Sequence, residues 1–446
     1  MIFGNKEYKK RMSVLRSYPV NPVKFMVIDI EKNILRTKQS SKSLLNLTKE
    51  DRKKILLDLA KYITKKKKSI LKENAKDVKH AVANGSAKSF VERLSLDEDA
   101  IKLICDSVRQ IALGEDNLFE TMSKTVQNSG ITIQKKCFPL GLVVIIYESR
   151  PNVTVDAFAA TFKSGNAVIL KGGKEIVNTN KIFITLIRDI LNKNHISEMI
   201  VQDFSGIKRD NMKLLIENEN IDCLIPRGGK KLIEYIKNNA KIPVIITGAS
   251  VVHAYIDADV DLKKALDVII NSKMRRVSIC NALDVIVIHK DISENFLSVF
   301  VKALYKLDAL EIRADKKSFS ILKTLGYQKL KKALYDDFDT EFLSMTIAVC
   351  IVDSLDDAIA HIQKHSLGHS EVIITKDTDS AQRFFQDIDS ACLYLNTSTQ
   401  FSDGGEFGMG GEIGISTQKL HARGPFSYKE LTTYKYIVDS EGSIRK

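Results

Sequence analysis

The sequence predicts an α/β protein that contains two doubly wound domains. Two stretches of the chain alternate short apolar strands with helical segments, one from residue 141 and the other from residue 253. The strands are continuous apolar runs, which is typical of parallel strands that are covered by helices on both faces. With 446 residues, of which 44% are hydrophobic, the chain is long enough for more than one core.

A helical segment precedes the first of these domains. Residues 1–40 show no strong periodicity, and we expect a poorly ordered extension there. Helices are predicted over residues 45–115, where Thr48 and Ser95 each begin a sequence that resembles a capping box. Apolar residues at helical spacing place Cys105 in a core.

Short apolar runs and residues that alternate in polarity predict the strands. An exposed hairpin strand is predicted at 132–136 and a terminal strand at 434–438. The predicted strands of the first domain are 142–146, 167–170, 200–201, 223–225 and 243–246. Those of the second domain are 254–256, 285–288, 347–349, 372–374 and 393–395.

Composition excludes several classes of function. The six cysteines and eight histidines are scattered, so we expect a reducing compartment, no disulfide framework and no metal site. The net charge is +13, but much of the excess lies in lysine-rich helical surface such as residues 65–68, and no nucleic-acid partner is predicted. No apolar run approaches the roughly 20 residues that span a bilayer, so we expect a cytoplasmic protein without a membrane partner.

Glycine motifs give a weak signal. No G-x-G-x-x-G dinucleotide fingerprint follows a strand, and the Walker spacing fails at both Gly-Gly-Lys sites, 172–174 and 228–230. Each Gly-Gly pair ends a strand and opens a helix, so its backbone N–H groups could hold a phosphate. A tight turn without a ligand is the commoner use of such a pattern.

Residues 274–281, Met-Arg-Arg-Val-Ser-Ile-Cys-Asn, form the candidate chemical centre. They place Cys280 beside basic and hydroxyl side chains, between a helical pattern and an apolar run. A single cysteine is more often a small buried hydrophobe than a catalyst. Lys273, Arg275 and Arg276 are close in sequence, and cationic neighbours lower the pKa of a thiol.

Several blocks of the chain, taken together, resemble one known family. They are YESRPNVTVD (147–156), KSGNAVILKGG (163–173), IPRGG (225–229), CNAL (280–283), GHSE (368–371) and DGGEFGMGGEIGISTQKLHARGP (403–425). In this order they resemble the gamma-glutamyl phosphate reductases of the aldehyde dehydrogenase superfamily. The resemblance covers residues 41–440, and residues 1–40 have no counterpart in it.

The resemblance implies an aldehyde dehydrogenase-like fold: two doubly wound α/β domains plus an oligomerisation hairpin and strand. We expect four segments: the extension (1–40), the helical lead-in, hairpin and NADP-binding domain (41–252), the catalytic thiol domain (253–396), and a return segment with the terminal strand (397–446). A homo-oligomer is expected, and a glutamate 5-kinase is a possible partner because an acyl phosphate is labile.

The family's chemistry implies that Cys280 attacks an acyl phosphate, L-glutamyl 5-phosphate, and forms a thioester that NADPH reduces to glutamate 5-semialdehyde. This is the second step of proline synthesis from glutamate. A thiolate suits the reaction because it is a good nucleophile and a good leaving group. The Cys280 backbone N–H and the Asn152 side chain are the expected donors to the oxyanion.

The resemblance also assigns binding residues. The implied NADP(H) residues are Ser149, Arg150, Pro151, Lys171, Gly172, Gly173, Arg227, Gly228, Gly229 and Glu341. Among them, Lys171 would reach the adenosine ribose or its phosphate, and Glu341 the nicotinamide ribose. The implied substrate residues are Arg275, Arg276, Asn281, His369, Gly404 and Phe407.

An absence and several departures qualify this assignment. Segment 247–252 lacks the glutamate with which hydrolytic aldehyde dehydrogenases activate water, which favours phosphate-linked chemistry. Arg275 stands where the family usually has Gln, and Gln400 where it usually has Arg. Val277 replaces a usual Pro, Gly411 a usual Ala, and residues 250–252 the usual Gly-Asn-Cys.

Three alternatives remain open at this stage. The changes at Gln400 and at 249–252 would also suit a reductase of a different acyl phosphate. A catalytically degenerate scaffold that keeps the fold is a second alternative, which the presence of Cys280, Asn152 and Glu341 disfavours. A binder of polyanions is a third alternative, which rests on net charge alone.

Overall fold

A computed structural model describes residues 22–148, 150–205, 207, 209–307 and 310–445. Its two larger sheets have four and seven strands, all parallel, and this confirms the predicted α/β class. In this part of the chain, no helix is long and apolar enough to cross a membrane. The domain boundaries that the sequence suggests remain predictions.

Five helices form the lead-in. They are α1 (Pro22–Ser41), α2 (Lys49–Lys65), α3 (Lys67–Ala83), α4 (Lys88–Leu94) and α5 (Glu98–Leu113). The capping box at Thr48 is confirmed, since its hydroxyl accepts the Asp51 N–H at 3.1 Å while its own N–H donates to the Asp51 carboxylate at 3.0 Å. The second cap is Asp97 rather than Ser95, because the Asp97 carboxylate accepts the Ala100 N–H at 2.7 Å.

Helix α1 corrects the prediction of a poorly ordered extension over residues 1–40. Its first residue is Pro22, a position where proline is compatible with a helix because the first turn has no partner for its N–H. Ile30 and Ile34 are buried in the same core as the four-stranded sheet, and Lys38 contacts Asp222. Residues 1–21 lie outside the described residues.

The four-stranded sheet has the order β5-β4-β3-β6. Its strands are β3 (Leu142–Tyr147), β4 (Ala167–Lys171), β5 (Val201–Asp203) and β6 (Cys223–Arg227). The helices between and after them are α6 (Asn152–Lys163), α7 (Val177–Lys193), α8 (Lys213–Ile216) and α9 (Lys230–Asn239). Chain order reverses between β3 and β6, as in other doubly wound sheets.

The predicted strand at 243–246 is wrong. Only Val244 makes an isolated bridge, to Leu224. Pro243 has no N–H for a longer ladder, and the chain leaves β6 so that Thr247 can bridge to Ser416.

The seven-stranded sheet has the order β10-β9-β11-β8-β7-β12-β13. Its strands are β7 (His253–Ile256), β8 (Val285–His289), β9 (Glu311–Ala314), β10 (Leu330–Lys332), β11 (Thr346–Val352), β12 (Ser370–Ile374) and β13 (Cys392–Leu395). Its helices are α10 (Leu262–Met274), α11 (Lys290–Leu304), α12 (Lys316–Thr324), α13 (Leu355–His365) and α14 (Thr378–Asp387). Ala254 and Tyr255, successive residues of β7, belong to two different cores, so both faces of the sheet are covered.

Two small antiparallel sheets complete the fold. Strands β1 (Thr121–Val126), β2 (Thr132–Pro139) and β16 (Thr432–Asp439) form one in the order β1-β2-β16. It contains both the predicted hairpin strand and the predicted terminal strand. Strands β14 (Gly414–Ser416) and β15 (Gly424–Phe426) form the other.

Candidate active site

Cys280 lies in the loop between α10 and β8, residues 275–284, which we call the Cys280 loop. It is partly exposed, whereas the other five cysteines are buried. The loop is tied back to the end of α10, because the Leu283 N–H donates to the Ser272 carbonyl at 3.0 Å. It reaches the sheet at the amino end of β8, so the thiol lies at the amino edge of the seven-stranded sheet.

Ser250 connects this loop to Glu341. Its hydroxyl donates to the Cys280 carbonyl and also lies 3.2 Å from Glu341 Oε1. Burial raises the pKa of Glu341 to about 7, and the charge of Asp284 acts in the same direction. The predicted absence of a carboxylate in segment 247–252 holds, but a serine from that segment brings a carboxylate from elsewhere to the Cys280 loop.

Charges from both large sheets surround the thiol. Burial raises the pKa of Cys280 to about 12, and the charges of Glu412 and Glu341 raise it further, while Arg150 and Arg227 lower it. Glu412 Oε1 lies 3.8 Å from an Arg227 nitrogen. The resting group is therefore a thiol, and its reactivity depends on the balance of these four charges.

The cations with the largest effect on the thiol pKa are distant in sequence, whereas Lys273, Arg275 and Arg276 were predicted from sequence proximity. Lys273 is buried, and its Nζ lies 3.9 Å from Asp284 Oδ1. Burial lowers the pKa of Lys273 to about 8, against the attraction of Asp284. The two cations that lower the pKa of Cys280 are Arg150 and Arg227, which are distant in sequence and follow or end strands of the other sheet.

A 3₁₀ turn at Thr399–Phe401 packs against the Cys280 loop. Asn281 is buried and donates to the Ser402 carbonyl at 2.9 Å, and its own carbonyl accepts the Thr399 hydroxyl at 2.7 Å. Asn281 thus fixes the turn to the loop. Arg275 and Arg276 are exposed, and Arg275 donates to Gln400 Oε1 at 3.3 Å.

The remaining predicted substrate residues lie in different settings. His369 is fully buried, its Nδ1 lies 2.8 Å from the Ser370 hydroxyl, and burial lowers its pKa to about 4. It therefore supports the neighbouring strand as a neutral ring and is not exposed to solvent.

The Gly404 N–H donates to Glu412 Oε2 at 3.0 Å, and a Cβ at Gly404 would lie 2.8 Å from the Glu412 Cβ. Phe407 is exposed.

Asn152, the predicted oxyanion donor, is exposed at the first turn of α6. Its Nδ2 donates to Asp156 Oδ2 at 3.0 Å. Burial raises the pKa of Asp156, whereas hydrogen bonds from Ser107 and Asn152 and the charge of Arg227 lower it. A side-chain amide nitrogen carries two N–H groups, so the second one remains available to a ligand.

Among the described residues, all the predicted cofactor residues except Glu341 lie at the carboxyl edge of the four-stranded sheet. Register pairs Ile146 of β3 with Lys171 of β4, and Tyr147 with Arg227 of β6, so the ends of three strands meet there. Arg150 follows β3, and Pro151 next to it is buried. Ser149 lies outside the described residues.

In each of the two Gly-Gly turns, a backbone N–H donates a hydrogen bond to a side chain of the protein. The Gly172 N–H donates to the Ser205 hydroxyl at 3.1 Å, and a Cβ at Gly172 would meet Asn180 Nδ2 at 2.3 Å. The Gly229 N–H donates to Glu148 Oε2 at 3.2 Å. These two N–H groups are thus engaged within the protein. Gly173 is half-buried, Gly228 and Gly229 are exposed, and a Cβ at Gly229 would meet open space.

Comparisons with known proteins agree with this geometry. The sequence matches the aldehyde dehydrogenase family over residues 25–318. The gamma-glutamyl phosphate reductase of Agathobacter rectalis is 42% identical over 419 residues, which are 94% of this chain and 100% of that protein. The protein of the same name from Carboxydothermus hydrogenoformans is 44% identical over 92% of this chain and 98% of its own length. The chain belongs to the gamma-glutamyl phosphate reductase family.

A solved member of the family has the same fold. The crystal structure of gamma-glutamyl phosphate reductase from Thermotoga maritima has a TM-score of 0.88 at 38% identity and covers 93% of this chain and 99% of that one. The family match begins at residue 25, which corrects the prediction that residues 1–40 have no counterpart. Helix α1 is therefore part of the fold that the reductases share.

Sequence reasoning missed Glu412 and Ser250 as site residues. Glu412 lies inside the longest block of resemblance, 403–425, so its motif was visible although its proximity to Cys280 was not. Ser250 was noted only as a departure from the family. No local pattern indicates that its hydroxyl would join the Cys280 loop to Glu341.

Proposed function

We propose that this protein reduces L-glutamyl 5-phosphate to L-glutamate 5-semialdehyde and phosphate with NADPH, the second step of proline synthesis from glutamate. The observation that carries the proposal is a partly exposed cysteine amid charges from two sheets, in a chain that is 44% identical to a named gamma-glutamyl phosphate reductase. This support also weighs against a degenerate scaffold, because charged groups act on the thiol from several parts of the fold.

In the proposed reaction, Cys280 Sγ attacks the acyl carbon, and the bond from that carbon to the phosphate oxygen breaks. Arg150 and Arg227, which act on the same thiol, are suited to hold the departing phosphate. The thiol must first lose its proton. Glu341, whose pKa burial raises to about 7, and Glu412, whose pKa is also raised by burial, are the carboxylates placed to receive it.

An oxyanion forms on the acyl oxygen as Cys280 attacks. The proposed donors are the Cys280 backbone N–H and the second N–H of Asn152. The first donor belongs to the Cys280 loop, and the second belongs to the first turn of α6. Collapse of the reduced intermediate releases the aldehyde and returns the thiolate, which regains its proton.

A nicotinamide cofactor fits the carboxyl edge of the four-stranded sheet through side chains rather than through a glycine cradle. Among the described residues, the hydrogen-bond partner of Lys171 Nζ is the Gly172 carbonyl, at 3.3 Å in its own turn. Burial lowers the pKa of Lys171. Lys171 would hold the adenosine ribose or its phosphate, and Glu341 the nicotinamide ribose. When bound, the cofactor supplies hydride to the acyl carbon. Comparing NADP with NAD as oxidant would test the predicted preference.

We also propose a homo-oligomer that forms through the sheet β1-β2-β16. This sheet exposes apolar side chains at Val126, Tyr436 and Val438, and β1 and β16 are its edges. Light scattering on the eluted protein should give a multiple of the chain mass of 50.1 kDa, and a single chain mass would refute the proposal. Cytoplasmic location and association with a glutamate 5-kinase stay predictions.

The decisive experiment runs the reaction in reverse, with glutamate 5-semialdehyde, phosphate and NADP. We expect NADPH formation that depends on phosphate, and its absence would overturn the proposed function and favour a different acyl phosphate. Cys280→Ala should lower turnover by at least about a thousandfold. Cys137→Ala, which changes a buried cysteine of β2, is the matched control and should keep full turnover.

A further inference from the structure

We propose that Gln400 is a positioning residue that fixes the guanidinium of Arg275 at the start of the Cys280 loop. In this position, Arg275 binds a second carboxylate of the substrate, which lies away from the reacting carbon. The inference rests on the proposed function and adds a specificity-determining pair to it. The substrate class that follows is an acyl phosphate with a second anionic group.

Gln400 is held rigidly. It is buried, and its Nε2 donates to the Ser272 carbonyl at 2.8 Å and to the Arg276 carbonyl at 3.4 Å. Its own backbone carbonyl accepts from Asn281 Nδ2 at 3.4 Å. The end of α10 and the start of the Cys280 loop therefore fix this side chain, and its one remaining polar atom, Oε1, faces Arg275.

Arg275 keeps most of its hydrogen-bonding capacity for a ligand. Its side chain is exposed, and its hydrogen bond to Gln400 Oε1 uses one of five guanidinium N–H groups. In the part of the chain that the structure describes, no carboxylate pairs with this guanidinium. A cation that is oriented by a rigid amide and has no protein counter-ion is a suitable partner for a substrate carboxylate.

The remote carboxylate is favoured over the reacting phosphate because other cations already serve the thiol. Arg150 and Arg227 are the cations that lower the pKa of Cys280. Arg227 ends β6 and Arg150 follows β3 of the four-stranded sheet, and these two cations are the proposed partners of the departing phosphate. Arg275 approaches from the amino end of the Cys280 loop, next to α10.

The exchange of residue types supports a joint role for the pair. By the resemblance, Arg275 and Gln400 are both departures, since Gln is usual at the first position and Arg at the second. In the structure the two side chains are in contact. One guanidinium and one amide therefore lie side by side here.

The test compares Arg275→Gln, Gln400→Arg and the double variant in the reverse assay. We expect Arg275→Gln to raise KM for the semialdehyde at least about tenfold with kcat within about threefold, since the contact stabilises ground state and transition state alike. KM for phosphate and NADP should not change. The double variant should regain most of the lost affinity, because it restores a guanidinium–amide pair. Lys263→Gln, an exposed cation at the other end of α10, is the matched control.

Each outcome decides the inference. An unchanged semialdehyde KM in Arg275→Gln, a rise in phosphate KM instead, or losses that simply multiply in the double variant would overturn it. If the double variant fails to fold, Arg275→Gln alone decides, because its side chain is exposed and its loss does not threaten the core. If the wild-type chain shows no phosphate-dependent turnover, the proposed function falls, and the inference falls with it.

Discussion

The two parallel sheets present their candidate functional residues at opposite ends of their strands. In the four-stranded sheet, Lys171 and Arg227 are the last residues of β4 and β6, at the carboxyl edge where doubly wound sheets bind ligands. In the seven-stranded sheet, Cys280 and Glu341 precede β8 and β11, at the amino edge. The second sheet is therefore not a second ligand-binding sheet of the usual kind.

This difference shows how the thiol is controlled. The charged groups that act on the Cys280 pKa come from four separate segments: Arg150 after β3, Arg227 at the end of β6, Glu341 in the loop before β11, and Glu412 in the return segment. Since these segments are hundreds of residues apart in places, the reactivity of the thiol depends on how the two sheets sit against each other rather than on its neighbours in sequence.

The largest expected effect tests the contribution of the return segment. After burial, Glu412 is the group that raises the pKa of Cys280 most. Glu412→Gln removes a charge that raises the Cys280 pKa and keeps an acceptor for the Gly404 N–H, so we expect Cys280 to react about tenfold faster with iodoacetamide at pH 9. Glu406→Gln, an exposed glutamate of the same segment, is the control. An unchanged alkylation rate in Glu412→Gln would show that the return segment does not control the Cys280 thiol.

A smaller and opposite effect is expected from the four-stranded sheet. Arg150→Gln removes a cation that lowers the Cys280 pKa, so alkylation of the thiol should slow by about threefold. Arg276→Gln, which changes a cation only four residues from Cys280, should slow it less. If Arg276 had the greater effect, proximity in sequence would matter more than the opposite sheet, and the comparison between the two edges would fail.

Much of the fold follows from local pattern. The continuous apolar runs at β3, β4 and β8 predicted strands within a residue or two of their observed ends, because burial on both faces leaves an unambiguous signal. Helix α1 was missed because residues 1–40 show no strong periodicity, and because a proline such as Pro22 suits a helix only at its first position. Strands β9 and β10 were missed because their sequences, Glu-Ile-Arg-Ala and Leu-Lys-Lys, contain no continuous apolar run.

The candidate site was less predictable than the fold. The resemblance placed Cys280, Arg227 and Glu341, and the structure brings these three together. The roles of Gln400 and Ser250 depend on contacts between segments that are far apart in the chain, and no periodicity or spacing encodes such contacts. The hydrogen-bonded Gly-Gly turns depend in the same way on the side chains of Glu148 and Ser205.

The smallest expected effect concerns Glu341, on the side of the seven-stranded sheet. Burial, with the charge of Asp284, raises the pKa of Glu341 from 4.5 to about 7. The folded chain therefore keeps a proton that the unfolded chain releases, and this contribution to stability is lost as pH rises from about 4.5 to about 7. Glu341→Gln has no such titration. In thermal melts at pH 8 we expect it to unfold about 2 °C above the wild type, with a smaller difference at pH 5. Glu406→Gln should show no difference at either pH.

A lower melting temperature for Glu341→Gln at pH 8 would mean that the contact between Ser250 and the charged carboxylate outweighs the cost of burial. Glu341 would then be a fixed anion of the amino edge, and proton transfer from Cys280 would fall to Glu412.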